Sequence, residues 1–240
     1  MRVAVLSDIH SNLLALDAVV ATFDSIDAVW HLGDVVGYGP DPDGVVARLK
    51  ELGATGVRGN HDAAAAGGHE IDWFNPDART AMEWTRRNVS APTLAWLREL
   101  TPKRSQDDVL MVHGSPRDPT WEYITSVPVA RANLAETAET YAVFGHTHIP
   151  MVYAERDGRI EAISPGDGSI FRLGEGRALM NPGSVGQPRD GNPLASYAVI
   201  DTDAGRCTWR RVAYPIEAVR TAMEAAGLPA RLAERLRFGL

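Results

Sequence analysis

The chain begins with the stretch that decides its fold, MRVAVLSDIH, residues 1–10. The apolar run at 3–6 is typical of a short buried strand, and Asp8 and His10 follow it directly. Because residues i and i+2 of an extended segment point to the same side, the Asp8 carboxylate and the His10 imidazole can meet just beyond the strand. The pair alone has two interpretations, a metal site or a helix cap followed by a surface histidine. Similar fragments elsewhere in the chain favour the metal site.

Polar fragments of this kind follow four further predicted strands. The fragments are Gly33-Asp34 after 27–32, GNHD (59–62) after 54–58, His113-Gly114 after 108–112, and GHTH (145–148) after 141–144. Helical periodicity at 12–23 and 42–52 separates the first three strands, and this alternation favours parallel neighbours joined by right-handed crossovers. Every candidate ligand therefore lies at the carboxyl end of a strand.

The second half of the chain has a different pattern, with short strands separated by Gly, Pro and Asp turns. These strands are predicted at 151–155, 159–164, 177–180, 195–201 and 206–213, and they indicate a mostly antiparallel second sheet. Helices are predicted at 77–88, 92–100, 128–139, 215–227 and 229–238, and a loop at 63–70. No repeat or linker divides the chain, so we expect a single α/β domain over residues 1–240.

Composition restricts the possible partners and compartment. With 240 residues, 45% of them hydrophobic, the chain can bury a full core. The net charge of −7 makes nucleic acid an unexpected partner. A single cysteine, Cys207, excludes an intrachain disulfide and a thiolate zinc cluster, and this agrees with a reducing compartment. The first apolar run is too short for a signal peptide, and no segment is long enough to span a membrane, so we predict a cytoplasmic protein with no membrane partner. The oligomeric state stays open.

Seven residues in these fragments have side chains that can bind a metal ion: Asp8, His10, Asp34, Asn60, His113, His146 and His148. All offer oxygen or imidazole nitrogen, which suits Mn²⁺, Fe²⁺ or Zn²⁺. Seven ligands are more than one ion needs. If one carboxylate bridges, the set can hold two cations about 3.5–4 Å apart, an arrangement that enzymes use to split phosphate esters.

The same series of fragments resembles the calcineurin-like metallophosphoesterase family, in family order across residues 1–148. The segment NPGSVGQPR (181–189) is similar to the small bacterial and archaeal phosphodiesterase branch of that family, which extends the resemblance to about residue 200. The resemblance implies two packed mixed β-sheets flanked by helices, a four-layer α/β sandwich. No ligand position departs from the family pattern.

The resemblance also implies a role for each residue. Asp8, His10 and His148 would hold one ion, Asn60, His113 and His146 would hold the other, and Asp34 would bridge them. Manganese is the expected ion, with iron, zinc, nickel and magnesium as alternatives. A hydroxide shared by the two ions would attack phosphorus, and His61 would donate a proton to the leaving oxygen. Asp62 would orient the His61 ring and favour its imidazolium form.

Three further residues are candidates for substrate binding: Tyr38, Asn181 and Arg189. Tyr38 and the Trp121–Tyr123 segment either line the substrate cleft or pack as exposed aromatic residues. Asn181 either bonds within its own turn or supports the metal ligands from behind. Arg189 either clamps a phosphate or forms a surface salt bridge. Of the other histidines, His31 is predicted to be a core residue and His69 to be solvated.

These observations predict a metal-dependent phosphoesterase that acts on a small phosphoester. A phosphodiester is favoured because a positioned acid such as His61 helps a poor leaving group to depart. One alternative is a phosphomonoesterase, either a protein phosphatase or a dinucleoside polyphosphate hydrolase. Another is a catalytically silent scaffold, although such a protein would be expected to lack some of the ligands or the acid.

Overall fold

The computed structural model describes residues 1–240, and twelve strands and eight α-helices form most of it. The strands are β1 (Arg2–Leu6), β2 (Ala28–His31), β3 (Thr55–Gly56), β4 (Lys103–Gln106), β5 (Val109–Val112), β6 (Tyr141–Val143), β7 (Met151–Arg156), β8 (Arg159–Ile163), β9 (Ile170–Arg172), β10 (Arg177–Asn181), β11 (Ala195–Asp201) and β12 (Arg206–Val212). The α-helices are α1 (Leu13–Val20), α2 (Pro42–Glu51), α3 (Asn60–Ala65), α4 (Pro76–Asn88), α5 (Ala91–Glu99), α6 (Val127–Glu136), α7 (Ile216–Ala225) and α8 (Ala230–Glu234). Two 3₁₀ helices span His69–Trp73 and Arg235–Arg237. No helix is both long and apolar enough to cross a lipid bilayer.

The strands form two six-stranded mixed sheets. Their orders are β3-β2-β1-β11-β12-β9 and β4-β5-β6-β10-β7-β8. In the first sheet β1, β2 and β3 run parallel, and β11 joins β1 antiparallel with Arg2 opposite Asp201. In the second sheet β5, β6 and β10 run parallel, while β4 and β7 are antiparallel to their neighbours. The predicted pair of mixed sheets is confirmed.

The expectation of a separate antiparallel sheet for the second half of the chain is wrong. β9, β11 and β12 extend the first sheet, and β4, β5 and β6 belong to the second. Alternating hydrophobicity identifies a strand and its buried faces, but it does not specify which strand lies beside it. Each sheet is therefore assembled from both halves of the chain.

Side chains alternate between two cores along β1. Val3 and Val5 point into the core between the sheets, where they meet Met111 and Met180 of the second sheet. Ala4 and Leu6 point the other way, into the core beneath α1, α2 and α7. A third core lies between the second sheet and α6. The result is four layers, helix–sheet–sheet–helix, with the carboxyl ends of the central strands at one rim.

Four of the eight α-helices begin at a side-chain N-cap. The Asn12, Asp41 and Asn75 side chains each accept a hydrogen bond from a backbone N–H in the first turn of α1, α2 and α4. The predicted loop at 63–70 is wrong, because α3 continues to Ala65 and a 3₁₀ helix begins at His69. The alanine-rich sequence after Asn60 has high helix propensity, and the Gly59 N–H is capped by the Asp62 carboxylate at 3.0 Å.

Candidate metal centre

The loops at the carboxyl ends of five strands converge on one buried site. β1 leads to Asp8 and His10, β2 to Asp34, and β3 to Asn60 at the start of α3. From the second sheet, β5 leads to His113, and β6 leads to His146 and His148. All seven predicted ligand residues are buried, and the structure brings all of them together. We call these seven residues the metal centre.

The metal centre contains two groups of ligand atoms that share Asp34. Asp8, His10, Asp34 and His148 form one group, and Asp34, His113 and His146 form the other, each within 4.8 Å. The Asn60 amide oxygen lies 3.0 Å from Nε2 of His113 and so adjoins the second group. Asp34 Oδ2 lies 3.6 Å from His10 Nε2 and 3.4 Å from His113 Nε2, between the two groups. This placement agrees with two ions and a bridging Asp34.

Hydrogen bonds to backbone carbonyls fix the orientation of three imidazoles. Nδ1 of His10, His113 and His148 donates to the carbonyls of Val36, Leu32 and Gln187, at 3.3, 2.8 and 2.6 Å. A carbonyl can only accept, so each Nδ1 carries a proton, and burial keeps the His10 and His148 rings neutral with the lone pair on Nε2 by lowering their pKa well below its usual range. Nε2 of His10 and Nε2 of His148 face each other at 3.2 Å. Two opposed lone pairs favour a shared cation, and backbone bonds of this kind are typical of metal-bound histidines.

The backbone of the metal centre is held in unfavourable conformations. Five of the seven residues have left-handed φ values: Asp8 (50°), His10 (48°), Asp34 (49°), His146 (65°) and His148 (60°). A non-glycine residue in this region costs about 1–3 kcal/mol and persists only where surrounding contacts impose it. Such contacts include the Ser184 hydroxyl, which donates to the Asp8 carbonyl at 2.8 Å, and the His10 N–H, which donates to the Asp34 carbonyl at 2.9 Å. Strain clustered on donor side chains indicates a functional site.

The charges of the metal centre are strongly coupled. Burial raises the pKa of Asp8 to about 7, a rise that the His113 imidazole opposes and the neighbouring Asp34 carboxylate assists. Burial acts in the same sense on Asp34, but the His113 and His61 imidazoles outweigh it and hold the pKa of Asp34 well below its usual range. The pKa of His113 rises to about 9, because the attraction of Asp34 exceeds the opposing effect of burial. Buried carboxylates that need nearby positive charge suit a cation site.

Comparison with known proteins identifies the family. The sequence model of the calcineurin-like phosphoesterase superfamily domain matches residues 1–205. The chain belongs to the calcineurin-like phosphoesterase superfamily. A metallophosphoesterase from Sphaerobacter thermophilus has the same fold with a TM-score of 0.92, at 41% identity over 100% of this chain and 99% of that one. The uncharacterized protein MJ0912 of Methanocaldococcus jannaschii is 35% identical over 99% of this chain and 98% of its own. Phosphodiesterase YfcE of Escherichia coli is 30% identical over 85% of this chain and 89% of its own.

His61 lies at the edge of the metal centre of this phosphoesterase. Its ring is 4.8 Å from the His10 ring and is enclosed between Tyr38 at 4.5 Å and Phe74 at 4.4 Å, measured between centroids. Nδ1 is buried without a hydrogen-bond partner. Burial lowers the pKa of His61 to about 4. The ring is thus neutral and is positioned by packing.

The expected contact between Asp62 and the His61 ring is wrong. The Asp62 carboxylate instead accepts hydrogen bonds from three backbone N–H groups, those of Val35, Val36 and Gly59, at 2.9, 3.1 and 3.0 Å. These donors turn it away from the imidazole and into the loop that follows Asp34. In this phosphoesterase Asp62 therefore fixes backbone around the metal centre and does not orient His61.

The three candidates for substrate binding, Asn181, Arg189 and Tyr38, differ in what they contact. The Asn181 amide donates to the Gly145 carbonyl at 2.8 Å and its oxygen accepts from the Gly183 N–H at 2.8 Å, so it serves both its own turn and the loop of His146. Arg189 forms no ion pair. Its Cζ lies 5.7 Å from the Tyr38 ring centroid, and its Nε is buried without a partner. Tyr38 is buried against His10 at 4.6 Å and is not a surface residue.

Two further residues lie at the rim, Trp73 and Phe74, and the sequence pattern does not predict them. They follow the segment interpreted as a loop, where no periodicity marks them, and the adjacent Trp-Phe pair was the available signal. Trp73 contacts Trp121 at 5.1 Å, and Tyr123 stacks on His146 at 3.8 Å. We call Trp73, Phe74, Trp121 and Tyr123 the aromatic cluster. The other two histidines agree with expectation, since His31 is fully buried and His69 fully exposed.

Proposed function

We propose that this chain is a two-metal-dependent phosphodiesterase. The observation that carries the proposal is the pair of buried ligand groups joined by Asp34, in which opposed imidazole lone pairs need a cation between them. The family supports phosphoester hydrolysis, and the relative YfcE, named a phosphodiesterase, supports the diester. Manganese is the proposed ion, and iron, zinc, nickel and magnesium are the alternatives that donors of oxygen and imidazole nitrogen also suit.

The two groups of residues in the metal centre would each hold one ion. Asp8, His10 and His148 would bind one ion, Asn60, His113 and His146 the other, and Asp34 both. Two divalent cations there would make water acidic enough to attack near neutral pH and would neutralise phosphoryl charge. Ser7 donates to Asp8 Oδ2 at 2.7 Å and the His61 N–H donates to Asp34 Oδ1 at 2.8 Å, so both carboxylates are held in position for coordination.

His61 would supply the proton for the leaving oxygen. Its Nδ1 is enclosed beside Gly37, so Nε2 is the ring nitrogen left to reach a substrate. The negative charge of a bound phosphoester would favour the imidazolium, since a nearby opposite charge stabilises the charged form. The proton would then pass from Nε2 to the departing alkoxide, whose poor leaving ability is the obstacle in an alkyl diester.

Arg189 would bind a non-bridging phosphate oxygen. Its guanidinium lies over Tyr38, which in turn contacts both His10 and His61. The guanidinium is restrained by one hydrogen bond, in which Nη2 donates to the Gln187 side-chain oxygen at 2.8 Å. With no carboxylate partner, the guanidinium keeps donors for a phosphate.

The test is hydrolysis of bis(4-nitrophenyl) phosphate by metal-stripped protein titrated with Mn²⁺, Ni²⁺, Zn²⁺ and Mg²⁺, with Asp34→Asn as the control. We expect activity to appear with metal and to be lost in the variant. Hydrolysis of 4-nitrophenyl phosphate without hydrolysis of the diester would mean that the chain is a phosphomonoesterase and not a phosphodiesterase. No hydrolysis of either ester with any of the cations would contradict the proposal and favour a catalytically inactive scaffold.

A further inference from the structure

Two loops that start from metal ligands each end in a pair of aromatic side chains, and the pairs meet. The chain that follows Asn60 passes through α3 to Trp73 and Phe74, and the chain that follows His113 leads to Trp121 and Tyr123. Trp121 lies 5.1 Å from Trp73 and 6.1 Å from Phe74 between ring centroids. Residues from distant parts of the sequence thus build one surface beside the metal centre.

The aromatic cluster is continuous with the metal centre. Phe74 contacts the His61 ring at 4.4 Å, and Trp121 lies edge-on to His146 at 6.4 Å with an interplanar angle of 84°. Trp73 lies beyond Trp121 and is 73% exposed, while Tyr123 is 49% exposed. A group held at the metal centre can therefore extend past Phe74 and Trp121 towards Trp73. Exposed large aromatic side chains grouped beside a polar site are typical of ligand binding.

The loop that carries Trp121 and Tyr123 is held rigidly from within. The Glu122 carboxylate accepts hydrogen bonds from the Ser115 hydroxyl at 2.6 Å and the Asn133 amide at 2.7 Å, and it pairs with Arg117. The Asp118 carboxylate accepts from the Trp121 N–H at 3.1 Å. Because Glu122 points into the loop, its aromatic neighbours on both sides are left on the outside.

The element that carries Trp73 is fixed in a similar way. The Arg86 guanidinium donates to the carbonyls of Ala64 and Gly68, at 2.6 and 2.7 Å from Nη2. Arg79 donates to the Asp72 carbonyl at 2.9 Å. Both halves of the aromatic cluster are thus anchored through backbone while one ring in each half, Trp73 or Tyr123, stays exposed, which lowers the entropy cost of binding a ligand.

We propose that the aromatic cluster is a binding subsite for a nucleobase carried by the phosphoester substrate. The proposal rests on the proposed function, because the phosphate of the same molecule would lie at the metal centre. A nucleotide separates its phosphate from a planar ring by one sugar, which matches a surface that begins at His61 and His146 and continues to Trp73. Stacking on aromatic side chains recognises the flat face that every nucleobase has.

The test compares two phosphate ligands that differ only in the base. Isothermal titration calorimetry of the manganese-loaded protein would measure the Kd of AMP and of ribose 5-phosphate, so that the contribution of phosphate and metal cancels in the ratio. We expect AMP to bind about tenfold more tightly or better, the effect that stacking of one base typically gives. Trp73→Ala and Trp121→Ala should each lower the ratio towards one by weakening AMP alone, and Trp73→Phe should retain most of it.

The matched control is Ile170→Ala, which removes an exposed apolar side chain of β9 outside the aromatic cluster. It should leave the ratio unchanged. Equal affinity of the two ligands for the wild-type protein, undetectable AMP binding, or a ratio that survives both tryptophan substitutions would overturn the subsite. The measurement does not depend on turnover. A protein that fails to cleave diesters but prefers AMP would therefore contradict the proposed function alone.

Discussion

The metal centre and the aromatic cluster touch each other, but they are built in opposite ways. The metal centre is buried, five of its residues have left-handed backbone, and its side chains are bonded to the backbone of other loops. In the aromatic cluster, Trp73 and Tyr123 are exposed and Phe74 and Trp121 are half-buried, and Glu122 and backbone hydrogen bonds anchor the segments that carry them. The contrast implies that the proposed hydrolysis and the proposed base recognition depend on separate groups of residues, which meet at His61 and His146.

The metal centre and the aromatic cluster also differ in their exposure to solvent. Burial changes the pKa of most ionisable groups in the metal centre, as the value of about 7 for Asp8 shows. In the aromatic cluster, Trp73 has most of its surface in solvent. Substitutions in the first region should therefore change rate and metal content, and substitutions in the second should change substrate affinity.

The largest effect is expected for Asp34→Asn. The amide lacks the charge that attracts both ions, so kcat/KM should fall about 1000-fold, which corresponds to about 4 kcal/mol of transition-state stabilisation. Elemental analysis after dialysis should show metal loss alongside the rate. Asp17→Asn, a surface carboxylate paired with Arg48, is the matched control and should behave as wild type. Full metal content together with a near-normal rate in Asp34→Asn would contradict the proposal that Asp34 bridges the two ions.

His61→Gln lies at the boundary and should separate rate from metal binding. We expect kcat to fall about 100-fold or more, the usual contribution of a general acid, while bound metal is unchanged. The loss should be greater for a diester with an alkyl leaving group than for one that releases 4-nitrophenolate, which needs no proton. His69→Gln changes a fully exposed histidine and serves as the control. An undiminished rate on the alkyl diester would refute the acid role.

The metal centre was the part of the molecule most accessible from sequence. Asp8, Asp34 and His113 each follow an apolar strand directly, and the carboxyl ends of strands meet at one rim, so chain order alone indicated their convergence. The structure places all seven residues there, Asn60 through its 3.0 Å contact with His113. What could not be predicted was how each side chain turns. Asp62 adjoins His61 in sequence, but three backbone N–H groups outcompete the imidazole for its carboxylate.

The sequence indicated Trp121–Tyr123 as a candidate cleft lining, but the contact of that segment with Trp73 and the sheet pairing could not be predicted, for another reason. Trp73, at the end of a 3₁₀ helix, and Trp121, in a loop, lie 48 positions apart, and their contact depends on how α3 and the loop after β5 are packed. Likewise, the pattern of β11 predicts a strand, but its place beside β1 is set by the packing of both halves of the chain. Local periodicity contains no information about partners so distant in sequence.

A smaller effect is expected for Glu122→Gln, which loosens the loop of Trp121 and Tyr123. Bonding to Arg117, Ser115 and Asn133 lowers the pKa of Glu122 to about 2. Since the folded pKa is depressed from 4.5, the stabilisation is present above pH 4.5 and is lost as pH falls towards 2. Allowing for the solvent-exposed Arg117, we expect about 1–2 kcal/mol.

Urea unfolding at pH 7 and pH 3 measures this contribution. Wild type should exceed Glu122→Gln at pH 7, and the gap should narrow at pH 3. Glu161→Gln, an exposed residue of β8, should show no gap at either pH. The variant should also bind AMP more weakly while keeping its metal. A gap that stays constant with pH would mean that Glu122 does not stabilise the loop through its charge.

The smallest effect is expected at Tyr123, the residue of the aromatic cluster that touches a metal ligand. Its ring stacks on His146 at 3.8 Å with an interplanar angle of 23°. Tyr123→Phe keeps that stack and should change the Kd of AMP by less than about twofold, whereas Tyr123→Ala should raise it about fivefold, within the range of one aromatic pair. Manganese affinity, titrated separately, should change little in either variant if the two regions are independent.

The double variant Trp73→Ala, Tyr123→Ala provides a thermodynamic cycle on AMP binding. Additive effects would mean that the two rings bind the base separately, and a matching loss of manganese affinity in Tyr123→Ala would show that the aromatic cluster also holds His146 in place.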